Sequence, residues 1–339
     1  MKGADTNTAA SLPNILVTGA TGFLGSPLIT KLAAMGFPVF AMVRSADSAV
    51  PDKVTKVIGG DITTIQNWQP LLQDIDTVIQ VAARAHIMND DVANPLEEFR
   101  KMNTEATLHL ARQAAEQGIK RFVFISSIKV NGEMTRLREA FKPDDDFVPD
   151  DPYGLSKYEA EQGLLALAKE TEMEVVIIRP PLVYGPGVRA NFASMMKWVK
   201  LGIPLPFGAI HNKRSFIALD NLISFIIHCI DHPNAANEIF LISDGEDLST
   251  SQLLRKLANA FSRKILLLPI PVSWMSFAAR LIGKSDLTDR LFGSLQVDSS
   301  KATKLLDWQP VISMDAQLKK TADAFLATEA QVTAKTEKQ

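Results

Sequence analysis

The stretch that most constrains this chain is Thr18-Gly19-Ala20-Thr21-Gly22-Phe23-Leu24-Gly25, which follows the apolar run Asn14-Ile15-Leu16-Val17 and opens onto Leu28-Ile29-Thr30-Lys31-Leu32. That is the pattern of a strand, a glycine turn and an amphipathic helix. Gly19 allows the tight turn, Gly22 lets a pyrophosphate approach the backbone, and Gly25 lets the helix pack close on the strand. The helix start, with unpaired N–H groups and the positive end of its dipole, then faces the phosphates. A GxxGxxG spacing is a weak signal alone. Its position between a strand and a helix gives it weight.

The rest of the chain repeats the alternation. Strands are expected at 38–43, 53–58, 76–81, 121–125 and 174–178, with helices at 96–117, closed by Gly118, and at 155–171. Strands without polar alternation, separated by helices, indicate a doubly wound parallel α/β sheet of the Rossmann type, buried on both faces. At 339 residues the chain exceeds the usual single core, so a smaller C-terminal α/β lobe is expected. Residues 1–13 read as a disordered leader, 14–184 as the dinucleotide-binding domain, and 185–216 with 243–327 as the second lobe. Segment 217–242, an amphipathic helix and a strand, is expected to return to the first domain. A helix at 249–261 starts on a serine cap, 275–282 reads as an amphipathic surface helix, with packing on the lobe favoured over membrane contact, and 328–339 reads as a frayed tail.

Net charge is -2 and the pI about 6.2, with no long run of like charge, which argues against a nucleic-acid partner or a polybasic membrane surface. The single cysteine, Cys229, rules out an intrachain disulfide framework and a multi-cysteine metal site; no metal is expected. No stretch has the roughly 18 continuous apolar residues of a membrane span, and the start lacks the apolar core of a signal peptide, so a cytoplasmic protein is expected.

Two constellations carry chemistry. In Tyr153-Gly154-Leu155-Ser156-Lys157 the phenol and the ammonium lie four residues apart on one helix face. A cation there is expected to lower the phenol's pKa and make Tyr153 a general acid/base. Ser127, in Ser126-Ser127-Ile128-Lys129, sits at the carboxyl end of a strand, where ligands of open α/β sheets bind, and could hold a substrate oxygen. Lys129 reads either as a substrate contact or as a solvent-facing lysine, and Arg214 either as a diphosphate clamp or as part of a surface charge pair. Arg84 and His86 sit at another strand end, and Asp150-Asp151 reads as a solvated loop. About 20 residues past the glycines the sequence is Ala41-Met42-Val43-Arg44-Ser45. With no acid to bind a ribose 2′-OH and Arg44 suited to a 2′-phosphate, NADP(H) is favoured over NAD(H).

The glycine turn, Asn103, Ser127, Tyr153 and Lys157, in this order, resemble the extended short-chain dehydrogenase/reductases, in particular the nucleotide-sugar epimerase and dehydratase group. The resemblance implies an NAD(P)-binding Rossmann domain, a C-terminal nucleotide-sugar lobe and Ser127, Tyr153 and Lys157 as the catalytic set. It implies cofactor contacts from Gly19, Thr21, Gly22, Phe23, Leu24, Gly25, Asp61, Ile62, Ala82, Ala83 and Asn103, with Asp61 at the adenine. It places Asn191 and Arg214 at a nucleotide diphosphate; from the residues alone, Arg84 reads as a contact to substrate or to a cofactor phosphate. The partner implied is a UDP-sugar, and a homodimer is the assembly considered. Ile128 and Lys129 stand where a dehydratase resembling this chain would carry Asp-Glu, so dehydration is disfavoured. The segments Ser126-Ser127-Ile128-Lys129-Val130-Asn131-Gly132-Glu133, Arg179-Pro180-Pro181-Leu182-Val183-Tyr184-Gly185-Pro186-Gly187 and Asn191-Phe192 resemble a narrower subgroup that reduces UDP-4-keto-6-deoxy-N-acetylglucosamine at C4 to UDP-N-acetylquinovosamine, and Arg44, suited to NADP, tilts the reading the same way. The expectation is therefore such a reductase of surface-polysaccharide synthesis. A 4-epimerase is the alternative, and a non-catalytic NADP sensor the third reading.

Overall fold

β1 (Ile15–Thr18) is buried along its whole length, with β2 (Val39–Val43) on one side and β4 (Thr77–Gln80) on the other, all parallel. Adding β3 (Thr55–Ile58), β5 (Arg121–Ile125), β6 (Glu174–Arg179) and β9 (Glu238–Leu241) gives one seven-stranded sheet in the order β3-β2-β1-β4-β5-β6-β9. Every pairing in it is parallel, which is the Rossmann-like α/β architecture expected. β7 (Leu182–Tyr184) and β8 (Phe216–Ala218) form a separate parallel pair. The computed structural model describes residues 11–84, 94–136, 139–281 and 291–336. Most of the expected leader, and His86, lie outside the described residues.

The side-chain period of two splits the core. Ile15 and Val17 face one layer, with Leu28 of α1 (Gly25–Ala34) and Leu222 and Phe225 of α7 (Leu219–His228). Leu16 faces the other, with Trp68, Leu110 of α4 (Ala106–Glu116) and Leu164 of α5 (Pro152–Glu170). A third cluster joins α6 (Ala190–Leu201), α8 (Thr250–Ala260) and α11 (Met314–Thr336), through Phe192, Leu254 and Leu318 among others. The remaining α-helices among the described residues are α2 (Gln69–Leu72), α3 (Pro95–Phe99), α9 (Val272–Leu281) and α10 (Ser300–Leu306).

Three local features differ from the sequence expectations. The helix expected over 96–117 is divided: α3 and α4 are joined by a π-helical segment, Arg100–Glu105, which carries Asn103. The tail does not fray at 328, because α11 continues to Thr336 and Glu329 pairs with Lys200 of α6. Asp151 is not a solvated loop residue but the N-cap of α5, accepting from the Gly154 N–H at 2.7 Å. Cys229 is buried at the end of α7, and burial raises its thiol pKa, so it behaves as an inert core residue.

At Gly25 the fit is tightest: a Cβ built there would stand 2.1 Å from the carbonyl oxygen of Gly19. Both sides of that clash are backbone, so Gly25→Ala should destabilise the protein by at least the about 1–3 kcal/mol of ordinary overpacking. Urea denaturation measures it. An unchanged midpoint would mean that α1 can stand off from the turn at no cost.

Candidate active site

Strand order reverses at β1, whose neighbours β2 and β4 continue in opposite directions, so a crevice opens at the carboxyl ends of β1 and β4. The glycine turn fills its floor. Gly19 has φ +63, and a Cβ there would be 2.7 Å from the Ala82 nitrogen, so only glycine lets the turn lie against the end of β4. Thr18 locks this contact: its hydroxyl donates to the Gln80 side-chain oxygen at 2.6 Å and accepts from the N–H groups of Val81 and Ala82. Thr21 and Gly22 are exposed, Phe23 is half-buried against Gly187, and Leu24 is buried. α1 then starts at Leu24 with no side-chain cap and no acid in its first turn. Its dipole is left for an outside anion, so the residues present fit a dinucleotide's pyrophosphate.

The cofactor candidates continue along the crevice. Arg44 is exposed just past β2, and Asp61, exposed past β3, lies close enough for Arg44 to help hold its carboxyl below the usual range. The Thr63 N–H and hydroxyl contribute more to that shift. Ile62 is buried beside it. After β4, Ala82 is half-buried and Ala83 exposed. The Arg84 backbone is held on both sides by Asn103, which accepts from its N–H at 2.9 Å and donates to its carbonyl at 3.1 Å. Asn103 also donates to the Ser156 hydroxyl at 3.0 Å, and Thr104 to the Ser156 carbonyl at 2.7 Å. The π-helical turn thus ties the end of β4 to the first turns of α5, a placement typical of π segments near functional sites.

The catalytic candidates come together at that seam. The Ser127 hydroxyl lies close enough to the Tyr153 phenol to draw its pKa down, and the Tyr153 ring packs edge-on to Phe99 at 5.8 Å, over which the Arg84 guanidinium stands at 5.9 Å. Lys157, one turn on, is buried: its Nζ donates to the Ile125 carbonyl at 2.9 Å and stands 4.4 Å from the Phe124 ring centre. The electrostatics run opposite to the expectation that lysine lowers the phenol. Burial of its hydroxyl end pushes Tyr153 up to about 12, Asp151 adds to the rise and Ser127 opposes it. Burial likewise pulls Lys157 down to about 7 against the pull of Glu161. Enclosure outweighs a pairing that spacing alone suggested.

Glu161 and Arg179 are the partners that sequence reasoning missed. Both are buried, and the Arg179 guanidinium grips the Glu161 carboxylate through Nε at 3.0 Å and Nη2 at 2.6 Å. Glu161 also accepts from Ser126, the neighbour of Ser127, and Arg179 donates to Asn131 at 2.9 Å. The signal was present: residues 153, 157 and 161 continue one four-residue spacing, and a carboxylate on the buried stripe of a helix needs a partner.

Among the substrate-side candidates, the Lys129 ammonium pairs with Glu133 at 2.6 Å and Asp151 at 3.1 Å, which ties the Ser127 loop to the cap of α5. Asn191 is half-buried in the first turn of α6. Arg214 is half-buried, its backbone bridged to Leu248 and Leu295 and its Nη1 donating to the Gly293 carbonyl at 3.0 Å. Burial lowers its guanidinium pKa. No group of metal-binding side chains occurs, and no helix is long and apolar enough to cross a membrane, among the described residues.

Comparison with known proteins narrows the chemistry. Residues 15–243 match the model of the NAD dependent epimerase/dehydratase family. The chain is 49% identical over 315 residues to a UDP-glucose 4-epimerase of Vibrio cholerae, covering 92% of this chain and 95% of that one. It is 28% identical over 266 residues to the N-acetyl-alpha-D-glucosaminyl-diphospho-ditrans,octacis-undecaprenol 4-epimerase of Escherichia coli O157:H7, covering 77% of each. In fold it resembles the UDP-glucose 4-epimerase of Thermotoga maritima solved with UDP-glucose, at TM-score 0.75 and 23% identity, over 93% of this chain and 99% of that one. These relatives overturn the expected C4-reductase, since they are named 4-epimerases. The physical reason is that one Ser-Tyr-Lys set serves both reactions, so the residues that carry the chemistry do not separate them.

Two measurements test the site's energetics. Glu161→Gln leaves the Arg179 charge buried without its counter-ion and should cost about 3–5 kcal/mol in chemical denaturation; a loss within error of zero would mean that water reaches the pair. Lys157, with a folded pKa of about 7 against 10.5 in the open chain, is protonated more in the unfolded state between those values. Its contribution to stability therefore rises with pH across that window, by up to about 1.4 kcal/mol per unit, and is flat below and above it. Lys157→Met should remove that rise; an identical pH dependence in both proteins would contradict the buried lysine.

Proposed function

This chain belongs to the NAD dependent epimerase/dehydratase family, and we propose that within it the protein inverts C4 of a UDP-linked hexose or N-acetylhexosamine. The observation that carries this reading is the near full-length match to a UDP-glucose 4-epimerase. The Ser127 and Tyr153 hydroxyls, close enough for Ser127 to lower the phenol's pKa, beside a glycine turn shaped for a dinucleotide, support such a reaction.

A dinucleotide would be held by the Gly19–Gly25 turn and the start of α1 at its pyrophosphate, and by Asp61, Ile62, Ala82 and Ala83 along the rest of the crevice. When bound, NAD supplies a hydride acceptor that returns the hydride to the same sugar carbon, so the reaction has no net oxidation. Tyr153 exchanges the proton of the C4 oxygen, and Ser127 holds that oxygen while it passes between alcohol and ketone. A phenol raised to about 12 rests protonated, ready to give its proton to a ketone oxygen. Taking a proton from an alcohol needs a nearby cation, and Lys157 is at the midpoint of its titration near pH 7. Arg214 and Asn191 hold the nucleotide diphosphate; a guanidinium drawn partly out of water, with a carbonyl as its hydrogen-bond partner, gains from an arriving anion.

Arg44 bears on the cofactor's second phosphate. An exposed cation past β2, where an acid would select the free ribose, suits the 2′-phosphate of NADP, so the site accepts NADP(H) as well as NAD(H).

Purified protein given UDP-glucose or UDP-N-acetylglucosamine, with no reductant, should form the galacto epimer, followed by proton NMR of the anomeric signals. No product from either sugar would remove the reading. Tyr153→Phe keeps the ring and deletes the proton, and should lower kcat roughly 10²- to 10⁴-fold while UDP affinity holds. Arg44→Ala should weaken NADPH binding more than NADH binding by at least roughly tenfold, the equivalent of about 1.5–3 kcal/mol for a charge-assisted bond. Equal losses would place Arg44 outside the ribose site.

A further inference from the structure

Beyond the proposed site, the segment after α8 leaves the largest group of neighbouring apolar side chains exposed among the described residues. On α9, Trp274, Phe277 and Leu281 are 72%, 65% and 72% exposed. Their spacing of three and four residues puts them on one helix face. Just before it, the Leu205 N–H donates to Leu266 and the Leu268 N–H to Leu205, pairing the two segments so that residues alternate across the ladder. Leu266 and Leu268 are both exposed, and Leu267 between them is half-buried. Five large apolar side chains therefore face solvent within sixteen residues, where single exposed ones are ordinary.

Charge follows the same segment. From Leu248 to Leu281 the sequence holds Arg255, Lys256, Arg263, Lys264 and Arg280 and not one carboxylate, in a chain whose net charge is -2. Lys256 is turned to Glu246 and Asp315, but Arg255, Arg263, Lys264 and Arg280 are exposed. A tryptophan and aliphatic face in a segment whose only charged side chains are cations matches the headgroup layer of an anionic membrane: the aromatic ring would sit at the interface, the aliphatic chains enter the acyl boundary and the cations meet lipid phosphates. α9, at ten residues, is too short to cross a bilayer and long enough to lie in its surface. A second copy of the chain fits less well, since a twofold contact would set Arg263, Lys264 and Arg280 against the same cations.

We propose that this face, formed by Leu266, Leu268 and the Trp274, Phe277 and Leu281 side of α9, docks the protein onto an anionic lipid bilayer. The inference is independent of the C4 reaction, because none of these residues belongs to the proposed site.

The test is co-sedimentation of the full chain with vesicles of phosphatidylethanolamine and phosphatidylglycerol, and with vesicles of phosphatidylcholine alone. Binding should be at least about tenfold stronger to the anionic vesicles and should weaken with added salt. The variant Trp274→Ser/Phe277→Ser/Leu281→Ser should lose about tenfold or more in vesicle affinity while keeping the wild-type circular dichroism and UDP affinity. Tryptophan fluorescence reports the contact directly: Trp68 and Trp308 are buried and Trp198 is half-buried against Phe207, so the part of the blue shift on adding anionic vesicles that comes from Trp274 is the part that should vanish in Trp274→Phe. Absence of vesicle binding by the wild-type chain overturns the proposal. So does equal binding by the triple variant, or a wild-type dimer that the triple variant converts to monomer and that binds no vesicles.

Discussion

Where α5 crosses the sheet, the Arg179 guanidinium and the Glu161 carboxylate meet out of water, and much of the site's geometry hangs on that pair. Neither charge is stable there alone, so the end of β6 and the middle of α5 are fixed relative to each other. Ser126 and Asn131 complete the hydrogen bonding of the two ions, which extends the constraint to the loop that carries Ser127. One turn back from Glu161 is Lys157, and two turns back is Tyr153. The Lys129 to Asp151 ion pair ties the other end of that loop to the cap of α5. Two ionic ties, one buried and one half-exposed, thus bracket the two hydroxyls proposed to handle the substrate's oxygen.

A second chain of contacts brings the dinucleotide cradle to the same place. Thr18 and Gly19 press the glycine turn against the end of β4, and Asn103 carries that strand end across to Ser156 of α5. Interior hydrogen bonds of this kind hold their geometry because an unmade one leaves a buried polar group unsatisfied. The Ser127 and Tyr153 hydroxyls and the glycine turn are therefore set by one connected framework, which is what the proposed reaction in two half-steps at a single carbon demands.

Much of this was legible in the sequence because it is local. The strand, glycine turn and helix are contiguous in the chain, and unbroken apolar strands alternating with helices imply the parallel sheet that the structure shows. Tyr153 and Lys157 share a helix face by spacing alone. What was not legible depends on enclosure or on partners far apart in sequence. The shifts of Tyr153 and Lys157 come from desolvation, which no four-residue spacing contains. Arg179 and Glu161 are 18 residues apart and on different elements, and Lys129 finds Asp151 only once the loop has folded back. The choice between reduction and epimerisation was the least legible of all, since it lies in the fate of the cofactor rather than in a side chain.

That choice is also where the account is most open to direct test. UDP-glucose carrying deuterium at C4 can be turned over in ordinary water with the protein as purified, and the galacto product examined by mass spectrometry and NMR. If the same hydride leaves and returns to one carbon within a single closed site, the product keeps its deuterium at C4 throughout the approach to equilibrium. Progressive loss of the label, or turnover only when reduced dinucleotide is added and consumed, would contradict C4 inversion at this site.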